Sequence, residues 1–291
     1  MKPVKILAEV GSNWYHPDKD EARKRARDCI DAAARAGAYG VKFQYFQADT
    51  LYSQMRAPKL YANTKKFELP IDWIAALAEH ASDQGLEFWM SVFDYRLSVA
   101  TEIAQWCDGL KVASGDITYL PLVESVAAAC EYENILIMLS AGAATADEIY
   151  TALDVINKYH VPRVILMQCV IAYPAEPYDY NLSSMLQFYD EVDEIGVSDH
   201  TTGFDVSQTA AVLGYTWIER HFRPYEVSES ESPDWGVSLG PDQLDWVIKR
   251  INTVRQTMGD GQKVPCDSEK DQRLWARRGS DGLRPVDNTH E

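Results

Sequence analysis

This chain of 291 residues has no long apolar run, no paired cysteines and few basic residues for its acidic ones. No apolar stretch approaches the roughly 20 residues that a membrane-spanning helix needs, so no membrane partner is expected. The opening MKPVKILAEVGSNW leads straight into a strand-like stretch without a signal-peptide cleavage pattern. Cys29, Cys107, Cys130, Cys169 and Cys266 are odd in number and form no C-x-x-C pair. They read as reduced core thiols of a cytoplasmic protein. Lysine and arginine total 28 against 44 aspartates and glutamates, a net charge of −16. That balance argues against a nucleic-acid partner. It leaves room for a small anionic substrate, because a few lysines focused in a cleft can outweigh a distant acidic surface.

What is present is a core and a repeat. Hydrophobic residues make up 46% of the chain. Short apolar runs fall at 4–10, 40–46, 86–93, 109–114, 134–140, 163–170, 194–200 and 217–222. Longer amphipathic stretches alternate with them. The stretch 20–37 is alanine-rich and ends at a glycine, as helix termini prefer. The stretch 145–160 opens with capping-box spacing from Thr145 to Glu148. The stretch 240–259 has proline early and glycine late. Eight βα units in this length predict a (β/α)₈ TIM barrel over 1–261, a single domain with a short polar tail at 262–291. A doubly wound open sheet is the alternative. It usually has fewer repeats and a glycine-rich phosphate loop, and neither G-x-G-x-x-G nor a P-loop occurs.

Such barrels place their active site at the C-terminal ends of the strands. Those ends carry Glu9, Lys42, Gln44, Ser91, Lys111, Ser114, Asp116, Ser140, Ser198, His200, Glu219 and His221. Strand residues two apart share a face, so Lys42 with Gln44, Ser198 with His200, and Glu219 with His221 can point inward together. A lysine inside an apolar barrel is costly without an anion to pair with. Two lysines and a set of serines therefore predict a site for phosphate or a similar anion. The other reading is that a lysine neutralises Glu9 or Glu219 in a buried network, and it stays open here. His200 and His221 end neighbouring strands, where two imidazoles could ligate one divalent metal with carboxylates and water completing the shell.

The strings themselves resemble the sialic acid synthase family over about residues 5–280. AEVGSN looks like that family's AEIGxN opening, and AGAYGVKFQYF like its AGADAVKFQ. KVASGDITYLPL and LSAGAATADEI are similar to its K(I/V)xSGE…LPL and STGMAT…EI. CVIAYP, NL, GVSDHTTG, IERHF, PDWGVSL and LG follow in the family's order. The resemblance implies an enzyme that condenses phosphoenolpyruvate with an aldehyde or sugar acceptor to give a 2-keto acid and phosphate. It implies phosphate contacts from Lys42, Ser91, Lys111, Ser114, Ser140 and Ser198, with Gln44, Tyr173 and Asp234 also in the substrate site. It implies manganese or magnesium on His200 and His221, and acid/base work by Glu9 and Asp116, the latter standing where the family has glutamate.

The departures cluster on what the resemblance makes the acceptor side. Trp14 and Trp235 replace histidines, and Gln168, Val170, Ile171 and Ala172 replace polar neighbours of the tyrosine motif. The expectation is an acceptor pocket altered from that for N-acetylmannosamine, or two tryptophans that merely pack the barrel mouth. Family members usually continue into a small antifreeze-like capping domain. Here SEKDQRLWARRGS at 268–280 resembles only the start of its linker. The expectation is then either that a homodimer partner or a separate capping protein completes the site, or that the acceptor is bound without a cap. Two other function classes remain at this stage: a metal-dependent aldolase or lyase on the same barrel, and a non-catalytic phosphate-binding barrel.

Overall fold

The structure, a computed structural model, describes residues 3–286. Eight parallel strands close into a barrel in sequence order: β1 (Lys5–Glu9), β2 (Gly40–Tyr45), β3 (Glu87–Val92), β4 (Gly109–Val112), β5 (Leu136–Ser140), β6 (Val164–Cys169), β7 (Glu194–Asp199) and β8 (Trp217–His221). β1 pairs with β8 to complete the ring, with Glu9 opposite His221. The predicted TIM barrel is therefore the observed fold.

Helices follow the strands, and their ends obey local chemistry. The helix Lys19–Arg35 starts where the Asp18 carboxylate accepts from the Asp20 and Glu21 amides, each at 3.0 Å. The helix Ala146–Ile156 has the capping box expected from the spacing of Thr145 and Glu148. One βα unit differs from expectation. Between β6 and β7 the described chain forms only 3₁₀ segments, Pro177–Asp179 and Leu182–Phe188. Pro174 and Pro177 break any longer amphipathic run there, and Asn181 adopts a left-handed backbone.

Alternation along the strands gives interior columns in which apolar residues lie below polar ones toward the C-terminal mouth. Leu7 precedes Glu9, Trp89 precedes Ser91, Met138 precedes Ser140, Met167 precedes Cys169, and Trp217 precedes Glu219 and His221. The lower members Leu7, Trp89, Met138, Ile165, Met167 and Trp217 form one buried cluster inside the barrel. Glycine is required where that cluster is densest. A Cβ at Gly109 would stand 2.3 Å from the Trp89 ring, and one at Gly196 would stand 2.4 Å from Met167 Sδ. The outer faces of the strands pack against the helices in the main hydrophobic core.

The chain divides into two compact units, Met1–Arg255 and Gln256–Glu291. The second holds the short helix Lys270–Ala276. Among the described residues no helix is long and apolar enough to cross a membrane. Cys29, Cys107 and Cys130 are buried as expected of core thiols, but Cys266 is exposed and Cys169 faces the barrel cavity described next.

Candidate active site

The polar upper members of the interior columns enclose a cavity of about 340 Å³ at the C-terminal mouth of the barrel. Its wall contains Glu9, Lys42, Gln44, Ser91, Lys111, Ser114, Ser140, Tyr173, Ser198, His200, His221 and Asp234. These are all the residues expected from sequence except one. Asp116 is not on the wall: it sits half-buried in the 3₁₀ turn Ser114–Asp116, where desolvation pushes its carboxyl up to about 6.

At the cavity floor two ammoniums and two carboxylates interlock. Lys42 Nζ lies against Glu9 Oε2, donates to Ser91 Oγ at 2.7 Å and is 3.7 Å from Glu219 Oε2. Lys111 Nζ donates to Glu219 Oε1 at 2.6 Å and to Ser198 Oγ at 2.7 Å. The Gln44 amide donates to Glu9 Oε1 at 2.6 Å. All four charged groups are buried. Burial works against charge on Lys42, yet Glu219 and Glu9 raise its pKa above the ordinary lysine value. Burial likewise opposes ionisation of Glu219, but Lys111 and Lys42 hold its carboxyl well below the usual range. The lysines are thus neutralised by both glutamates, the alternative that the sequence left open.

Glu219 is the group that sequence reasoning underused. The signal was its position two residues before His221, on the same strand face. Ser12, Tyr52 and Phe93 also line the cavity but come from loop or strand-end positions with no pattern to single them out. Ser140 Oγ is buried beside the lysines without a hydrogen-bond partner. Few buried polar atoms are left so, and one facing a cavity marks a place for a ligand atom.

His200 and His221 stand with ring centroids 5.2 Å apart. Tyr173 stacks on His200 at 4.2 Å and meets His221 edge-on at 5.6 Å. His200 Nδ1 lies 2.8 Å from the Val170 carbonyl, which can only accept, so Nδ1 carries the proton and Nε2 keeps its lone pair. Desolvation, helped by His221, lowers the His200 pKa to about 3 and keeps the ring neutral. His221 Nδ1 has no hydrogen-bond partner and lies 3.5 Å from Asp234 Oδ2, an ionic contact rather than a hydrogen bond. Burial disfavours charge on this ring, but Asp234 and the nearby glutamates raise its pKa above 6.5.

Gly11, with φ +54°, leaves open the space that these groups border. A Cβ there would lie 2.7 Å from Asp234 Oδ2, 3.5 Å from Glu9 Oε1 and 3.6 Å from His221 Nδ1. Among the described residues no three His, Cys, Asp or Glu side chains converge at metal-ligand spacing. Two imidazoles beside carboxylates fit an open divalent site whose shell is completed by water or substrate oxygen, and do not fit a closed structural one.

The departures map unevenly. Trp14 is buried and packs edge-on against Trp73 at 5.9 Å, so it serves the core. Trp235 lies beneath the Arg223 guanidinium, 3.4 Å from its ring centroid. Neither lines the cavity. Gln168 donates to the Tyr180 carbonyl and, with Val170, borders an adjoining cavity of about 580 Å³. Ile171 and Cys169 face both cavities.

Known proteins show the same barrel. The chain is 31% identical to the N,N'-diacetyllegionaminic acid synthase of Legionella pneumophila, over 94% of this chain and 78% of that protein. It is 33% identical to the synthase of the same name from Campylobacter jejuni, covering 93% and 82%. The crystal structure of N-acetylneuraminic acid synthetase from Leptospira borgpetersenii, in complex with citrate, superposes with a TM-score of 0.80 at 28% identity. That match covers 93% of this chain and 90% of that one. The NeuB family profile matches residues 29–263, and with these relatives it shows that the chain belongs to the NeuB family.

Proposed function

We propose that this protein condenses phosphoenolpyruvate with an aldehyde-bearing sugar to give a nonulosonic-type 2-keto acid and inorganic phosphate. The observation that carries the reading is the grouping of Lys42, Lys111, Ser91, Ser140 and Ser198 in one cavity with His200 and His221. Relatives named as synthases of legionaminic acid and of N-acetylneuraminic acid support the product class.

In the proposed reaction C3 of phosphoenolpyruvate bonds to the acceptor's carbonyl carbon, whose oxygen takes a proton. Water adds its oxygen to C2, and the C2–O bond to phosphate breaks as the keto group forms. Lys42 and Lys111 hold the phosphate as charge partners, and Ser140 Oγ, which has no hydrogen-bond partner among the described residues, gives it a hydrogen bond. Because two glutamates already neutralise the lysines, the phosphate must share those ammoniums with Glu9 and Glu219. Glu9, held between Gln44 and Lys42, is the group we assign to proton transfer at the acceptor oxygen. Asp116 lies off the cavity wall and receives no role. A divalent ion, manganese or magnesium, held by His200 and His221 would polarise the acceptor's carbonyl oxygen. Tyr173 stacks on His200 and meets His221 edge-on, which helps to orient both rings.

Phosphate release from phosphoenolpyruvate, followed with manganese across a panel of N-acetylated hexosamines and simple aldehydes, tests the reading. Release that depends on both acceptor and protein is the expected result. No release with any acceptor, together with no calorimetric binding of phosphoenolpyruvate, would overturn it.

A further inference from the structure

Directly behind the two histidines, on the opposite face of their strands, lies a second charged pair that the proposed chemistry does not use. Asp199 and Arg220 are register partners across β7 and β8, and both are fully buried. Each immediately precedes one histidine in sequence, so strand alternation places the pair outside the barrel while His200 and His221 face its interior. Arg220 Nη1 donates to Asp199 Oδ2 at 2.7 Å and to the Gly203 carbonyl at 2.8 Å. Its Nη2 donates to the Thr201 carbonyl at 2.8 Å. The Asp199 carboxylate in turn accepts from the Thr201 amide and hydroxyl at 2.9 and 2.7 Å, and from the Ser207 amide and hydroxyl at 3.1 and 2.5 Å. The network thus ties the end of β8 to the turn that leaves His200.

A buried ion pair contributes little net stability relative to an apolar replacement, and its best-attested gain is a fixed arrangement. What this one fixes is the backbone on which both imidazoles stand. On the other side of His200, the Tyr180 hydroxyl accepts from the His200 amide at 2.6 Å and donates to the Ser198 carbonyl at 3.1 Å. The His221 carbonyl accepts from the Leu239 amide at 2.8 Å, and its strand pairs with β1 at Glu9. The cross-strand pair joins the two strand ends that carry the rings. Arginine suits the task, since its planar fork reaches a carboxylate and two carbonyls together, whereas a lysine has one nitrogen to place.

We propose that Asp199 and Arg220 are a positioning pair that sets how His200 and His221 are presented to a shared divalent ion, an inference that rests on the metal reading above. The test uses the full chain in three forms beside wild type: Asp199→Asn with Arg220→Met, Arg220→Lys, and His200→Ala. Manganese affinity is read by calorimetry, the ligand environment by the visible spectrum of the cobalt-loaded protein, and phosphoenolpyruvate affinity without metal as the control. The double variant removes both buried charges, leaves no lone ion, and is expected to bind phosphoenolpyruvate as wild type does. Its manganese dissociation constant should rise about 10- to 100-fold, the range for losing a partner that orients metal ligands, with a changed cobalt spectrum. Arg220→Lys should show the same split with a smaller rise, about three- to tenfold, and it decides the matter if the double variant fails to fold. Manganese affinity equal to wild type in these variants, with affinity lost in His200→Ala, would overturn the positioning role and leave the metal reading intact. So would a loss shared equally by manganese and phosphoenolpyruvate, which marks a general structural defect. No manganese binding by wild type would overturn the metal reading and the inference with it.

Discussion

The two ends of the barrel interior are built on opposite principles. At the N-terminal end Trp89 and Trp217 meet edge-on with centroids 5.1 Å apart, and both indole N–H groups are satisfied. Trp89 Nε1 donates to Glu87 at 2.9 Å and Trp217 Nε1 to Glu194 at 2.6 Å, while Arg163 and Thr216 also meet Glu194. At the C-terminal end, further along the same columns, Ser140 Oγ and His221 Nδ1 are buried without a hydrogen-bond partner, and Glu9 and Glu219 are held by ion pairs to the lysines. One end is closed by packing and complete hydrogen bonding. The other keeps charges and unpaired atoms where a ligand can meet them, which is where such barrels carry function.

The contrast is broken most strongly at the packed end. Trp217→Ala empties a fully buried ring site and should cost about 3–5 kcal/mol of stability by urea unfolding, with substrate affinity of the folded fraction unchanged. A smaller stability loss, about 3 kcal/mol, is expected at the open end from Glu219→Gln, which leaves two buried ammoniums sharing one carboxylate. The same change should tighten inorganic phosphate binding severalfold in calorimetry, because the floor gains net positive charge. Weaker phosphate binding would show that Glu219 does not compete for the lysines. Ser140→Ala sharpens the comparison by its small effect. It removes no hydrogen bond from the ligand-free protein, so stability should change by less than about 0.5 kcal/mol. Phosphoenolpyruvate affinity should still fall by about 1 kcal/mol, the worth of one hydrogen bond.

Reading residues in steps of two along apolar runs was enough to find Lys42 with Gln44 and His221 with its strand, because strand alternation is a local property. Asp116, which the family resemblance offered as an acid/base carboxylate, follows β4 in a 3₁₀ turn where alternation no longer holds. For the two tryptophans the sequence left open a reshaped pocket or plain packing, and neither lines the cavity. Trp14 instead joins Trp73 and Tyr15 in the core, and Trp235 joins Arg223, contacts that no local pattern encodes. The missing helix between β6 and β7 was legible in Pro174, Pro177 and Asn181 but was overridden by the expectation of a regular repeat.

Periodicity and strand-end chemistry alone determined the βα repeat and the inward residues, since each depends on neighbours within a few positions, whereas the closing pair of β1 and β8 joins Glu9 to His221 across the whole barrel sequence. Which carboxylate meets which lysine was decided only by folding. Lys111 and Glu219 are 108 residues apart in sequence and 2.6 Å apart in space. Their pairing follows from the stagger of strands around a closed ring, a quantity that no single strand carries.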